Sequence, residues 1–156
     1  IQIIITMFFK VPNNEFFKCV LESIQAGESV KIRVKGNSMY PFLKEGNAIL
    51  LSPFEAKELK PGSIVLFAYR DIYILHRIIA RKDDRLIIQG DNVYTHVEKA
   101  TISHVVALVK QVHYDNGRIV KPHSMAWKFA YMRNRIKKKI KRMIIPTMKK
   151  LNVFKS

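Results

Sequence analysis

Between Val30 and Val120 the chain is a succession of short runs rich in β-branched and aliphatic residues, and that succession restricts the fold more than any other feature. Val30, Ile32 and Val34 alternate with Lys31, Arg33 and Lys35, the period-two pattern of a half-buried strand. After a turn containing Gly36 and Pro41 come "AILL", "SIVLFAY", "IYILHRII" and "RLIIQ", separated by "KPG", "YRD" and "KDD". Connections that short join antiparallel neighbours, because a parallel pair needs a crossover of about a dozen residues or more. "VVALVKQVHY" and "GRIV" flank Asp115, Asn116 and Gly117, the residue types that accept the positive φ of a hairpin turn. The pattern predicts a mainly β fold, an antiparallel meander over residues 30–121.

The flanks read differently. After Pro12, Phe16, Phe17, Val20, Leu21 and Ile24 fall on one helical stripe, with Asn13 or Asn14 as cap and Gly27 as stop. Residues 1–29 are thus expected to form an N-terminal arm and a short helix. The opening "IQIIITMFF" is far shorter than the roughly 20 residues of a spanning helix and has neither a basic flank nor a cleavage site, so it reads as a strand or packed arm. Over residues 122–156, Met125, Phe129, Met132, Ile136, Ile140 and Met143 recur at steps of three and four while Lys137, Lys138, Lys139, Lys141 and Arg142 cover the rest. That is a basic amphipathic helix, which Pro146 is expected to kink or stop.

Lys and Arg number 28 against 12 Asp and Glu, a formal charge of +16 that favours an anionic partner such as lipid headgroups or nucleic acid. A single cysteine, Cys19, excludes an internal disulfide and reads as a small apolar packer. His96, His104, His113 and His123 lack zinc-ligand spacing and no glycine-rich phosphate loop occurs, so no metal or cofactor is expected.

The candidate chemistry lies in "GNSMYP" and "YILHRII". A catalytic serine needs a fixed backbone, a base and donors for an oxyanion. Gly36 lets the chain turn sharply and Pro41 fixes its exit, which presents Ser38 with its own N–H available. Met39 packs beneath, and with Pro41 is the expected substrate-binding wall. The other reading of Ser38 is a hydroxyl capping a surface turn. His76, on the strand face of Ile72 and Ile74, is either a partly desolvated general base or a core histidine satisfied by a carbonyl.

In order, "SMYP", "LKEGNAILL", "LKPGSIVLF", "LHRII" and "IIQGDN" resemble the boxes of signal peptidase I-type serine peptidases, a clan shared with LexA-like self-cleaving repressors. The resemblance covers roughly Val30 to Val112 and implies a coiled antiparallel β-sheet core, with Ser38 as nucleophile and His76 as base in the histidine-type branch. It also implies cleavage after small side chains. The chain departs from the pattern in three places. The second aspartate that orients the histidine is missing from "VYTHVEKA", which leaves Asp91 as the expected third residue and Glu98 as a weaker candidate. Gly36 stands where some members supply a hydroxyl to the oxyanion, and "GN" replaces "GD" after the first box.

The expected activity is that of a serine endopeptidase removing a leader or signal segment from a polypeptide, in the cytoplasm or at a membrane surface of a bacterium. Residues 125–156 are the expected contact to an anionic membrane, with Trp127 among the residues at the headgroup boundary; docking of the helix on its own core is the competing reading, and nucleic acid ranks below lipid. Two alternatives remain at this point: a catalytically inactive peptidase-like binding module, and a self-cleaving repressor relative, which the short segment before Val30 disfavours.

Overall fold

The structure is a computed structural model that describes residues 13–153, with side chains over residues 15–144. The arm expected over Ile1–Phe9 lies outside the described residues. Helix α1 spans Asn13–Gln25 and packs Phe16, Phe17, Val20 and Ile24 toward the sheet. It ends where Gly27 takes φ +83°, with Gly27 N–H donating to Ile24 O and Glu28 N–H to Ser23 O, the paired bonds of a Schellman cap. Cys19, expected inside, is an exposed free thiol on the outer side of this helix.

Strands β1 (Val30–Arg33), β2 (Ala48–Ser52), β3 (Ile64–Tyr69), β4 (Ile72–Lys82), β5 (Arg85–Gln89), β6 (Glu98–Thr101), β7 (Val105–His113) and β8 (Ile119–Val120) form an eight-stranded antiparallel sheet among the described residues. The order is β1-β2-β7-β3-β4-β5-β6, with β8 added on β7. The β3–β4 hairpin turns through Arg70 and Asp71, at φ +47° and +63°, the two left-handed residues that a twist-compatible two-residue turn requires. Bulges between Leu50 and Leu51, Leu66 and Phe67, and Ile78 and Ala80 bend the sheet, and so both of its faces enclose apolar side chains.

One face carries Ile49, Leu51, Ile64, Leu66 and Val109 and is covered by α1 and by α2 (Met125–Val153). The other closes on itself around Val65, Phe67, Ile78, Leu86, Ile88 and Leu108. One strand escapes the sequence pattern and one expectation differs here. Strand β6 has no apolar signal because its inward residues are Glu98 and Ala100. And α2 runs through Pro146 to Val153, since the loss of one backbone donor on a long helix leaves the following turns bonded.

The tail helix docks on the core. Trp127, expected at a headgroup boundary, is instead buried against Phe42, with ring centroids 5.1 Å apart, while Tyr131 stacks on Arg77.

Candidate active site

The turn that carries Ser38 is wound by its own backbone. Val34 N–H donates to Asn47 O and Gly46 N–H to Val34 O, closing the base of the loop. Tyr40 N–H then donates to Asn37 O and Leu43 N–H to Met39 O, and the Tyr40–Pro41 peptide is cis. Asn47, in the "GN" departure, is buried with its side-chain oxygen accepting the Lys44 N–H at 2.9 Å. Apolar residues decide which side of the turn faces in: Met39, Phe42 and Leu43 enter the core, and Ser38 is left exposed.

That burial corrects one expectation. Met39 is 2% exposed, so it braces the turn from below and presents no wall to a substrate. Pro41 is exposed and borders a groove of about 610 Å³ that Phe42, Tyr114 and Trp127 also line.

His76 stands in β4 opposite Val65 of β3, on the same face as Ile74 and buried at 5% exposure. Its Nδ1 lies 3.2 Å from Glu98 Oε2, and Glu98 is itself buried. A carboxylate there accepts, so Nδ1 carries the proton and Nε2 keeps its lone pair. Glu98 Oε1 also lies 3.3 Å from Nε2 of the exposed His96. Burial holds the His76 pKa below the ordinary imidazole value, against the opposing pull of Glu98 and then Asp91. Burial thus favours the neutral imidazole over the imidazolium.

Gly90 shows how close the two boxes come. A methyl group placed on its Cα would stand 2.8 Å from the Ser38 carbonyl oxygen, 2.9 Å from His76 Nε2 and 2.7 Å from Val93 Cγ2. A single methyl-sized volume is thus bounded by the serine's own residue and by the lone-pair nitrogen of the histidine. Only glycine leaves that space open. The same loop is stapled to the serine turn: Asn92 N–H donates to Ser38 O at 2.7 Å and Asn92 Nδ2 to Asn37 O at 3.3 Å.

Asp91 does not hold His76 as expected. Both its carboxylate oxygens are taken by Arg77, through Nε at 2.8 Å and Nη2 at 2.7 Å, while Arg77 Nη1 donates to Gly62 O. The reason is strand parity. Arg77 follows His76 in β4 and points to the opposite face, where Phe42, Trp127 and Tyr131 surround its guanidinium with centroids 4.5–5.8 Å away. Asp91 enters from the loop after β5 to neutralise that fully buried cation.

Sequence reasoning also missed Lys138. From α2 its Nζ donates to Gln89 Oε1 and to Gly90 O, both at 3.0 Å, and burial with the nearby Arg142 and Arg135 charges holds its pKa below the usual lysine range despite Asp91. The tail helix is thereby pinned to the loop that separates Ser38 from His76. A surface lysine within a run of lysines gives no sign of such a bond. Among the described residues no three His, Cys, Asp or Glu side chains gather in a group able to hold a metal.

Comparison with curated proteins finds no match for this chain. The family model described as Peptidase S24-like matches residues 9–112, a span that contains α1, β1 to β6, nearly all of β7, and Ser38, His76, Asp91 and Glu98. With most of its length inside that match, and with a mainly β antiparallel sheet beneath it, the chain belongs to the Peptidase S24-like family.

Proposed function

We propose that the chain is a serine endopeptidase in which Ser38 is the nucleophile, His76 the general base and Glu98 the carboxylate that orients and stabilises His76. The carrying observation is the convergence at Gly90 of the Ser38 backbone and His76 Nε2, with Nδ1 engaged by Glu98. In the proposed reaction Ser38 Oγ attacks a peptide carbonyl and His76 Nε2 takes its proton. The resulting imidazolium is paired with Glu98 and then protonates the leaving amine, after which water, activated in the same way, hydrolyses the ester on Ser38. In this reading the Ser38 N–H donates to the oxyanion.

Membership of a peptidase family supports hydrolysis of a peptide bond in general. The finer assignment to the signal peptidase type, with removal of a leader or signal segment after small side chains, rests on the succession of boxes from "SMYP" to "IIQGDN". The reading as an inactive module drew on the missing aspartate, and the buried Glu98 on Nδ1 supplies a carboxylate at that place. Incubation with a leader-like peptide bearing alanines before the scissile bond tests the proposal. Ser38→Ala and His76→Ala should each lower cleavage by about 10²-fold or more while the circular dichroism spectrum is kept. Unchanged cleavage by either folded variant rejects the assignment.

A further inference from the structure

Helix α2 has two faces that want different surroundings. Trp127, Tyr131 and Lys138 point to the core, where they contact Phe42, Arg77, Gln89 and Gly90. Met125, Phe129, Met132, Ile136 and Ile140, at the same three- and four-residue spacing, occupy the opposite side and are 48–63% exposed. Since a helical residue keeps its direction along such steps, that apolar row lies on the side of α2 opposite the docked one, with Ile136 at the rim of the groove beside Gly90 and Val97, and it stays largely open to solvent. Large side chains exposed in one contiguous row mark a surface for something else.

The flanks of the row identify its partner. Lys128, Arg135, Lys139 and Arg142 run along one edge, and Arg133, Lys137 and Lys141 along the other. No acidic residue occurs in the helix. Pairing with a second copy through the apolar row would bring these cationic edges against their own likeness. A nucleic acid would match the edges and leave the row in water. An anionic lipid surface satisfies both, with the row among the upper acyl carbons and the cations at headgroup phosphates.

We propose that α2 is an interfacial helix that lies on an anionic bilayer by this outer face. Among the described residues no helix is long and apolar enough to cross a membrane, and the interspersed lysines and arginines suit a helix lying flat. The proposal stands on the helix alone, whether or not Ser38 is a nucleophile. Because Lys138 pins the inner face of α2 to Gly90, attachment holds the loop between Ser38 and His76 close to the headgroups.

Co-sedimentation of the full chain with vesicles decides the matter. Vesicles of phosphatidylcholine containing about one third phosphatidylglycerol should pellet the protein at roughly 0.1 M salt, pure phosphatidylcholine should not, and raising the salt should release it. Ile136→Glu should weaken binding about tenfold or more, the loss expected for one fully buried isoleucine. Lys139→Gln and Arg142→Gln should each weaken it about fivefold. The proposal is overturned by failure to pellet with the anionic vesicles, or by binding that Ile136→Glu leaves unchanged. It is equally overturned by a dimer in sedimentation velocity that Ile136→Glu dissociates, or by DNA binding that outcompetes the vesicles and ignores that substitution.

Discussion

At the scale of residues, two carboxylates near one histidine have been sorted by what each neutralises. Glu98 faces an imidazole whose neutral form burial favours, and Asp91 faces a guanidinium that cannot lose its charge. Their removal should therefore differ in kind. Glu98→Gln deletes the anion that favours imidazolium, so the acid limb of kcat/KM, along which activity rises as His76 loses its proton, should move to lower pH. The rate should also fall about ten- to hundredfold, the loss of a charged hydrogen bond of about 1.5–3 kcal/mol. Asp91→Ala strands a buried cation and should cost about 3–5 kcal/mol of stability, read by urea unfolding. Should Asp91→Ala shift the limb and Glu98→Gln leave it in place, the two roles are exchanged. The sequence offered both residues and ranked Asp91 above Glu98, the reverse of what the contacts show, because the choice turns on β4 parity and on a strand, β6, whose inward positions are a glutamate and an alanine.

Among elements, those with strong periodicity were legible and those held by polar contacts were not. The alternation of Val30, Ile32 and Val34 and the β-rich runs through Val112 give the strands because one side chain in two must leave water. The stripe from Phe16 to Ile24 gives α1 on the same grounds. Helix α2 was visible as amphipathic, but Trp127 was grouped with Met125, Phe129 and Met132 at a headgroup boundary, and docking on the core was only the competing reading. The docked face is instead built from Trp127, Tyr131 and Lys138 acting on Arg77 and Gly90, contacts that depend on aromatic stacking and a single ammonium. Trp127→Ala should accordingly cost about 3–5 kcal/mol of unfolding free energy. A cost near zero in a urea titration would mean that α2 stands free of the sheet.

For the whole molecule, the family match ends within β7, while α2 beyond it seals the Arg77–Asp91 pair and reaches the loop at Gly90. The site therefore draws on the serine turn, on β4, on the loop after β5, on β6 and on a tail outside the matched span. Such a convergence serves catalysis only if the histidine can ionise the serine. Treating the folded chain with a fluorophosphonate probe from acid to mildly alkaline pH measures that step without knowledge of the natural substrate. The account predicts one adduct, on Ser38, whose rate of formation rises with pH around a midpoint below the ordinary imidazole value of 6.5 and collapses in His76→Ala. A folded protein that forms no adduct on Ser38, or forms it as fast without His76, would contradict it.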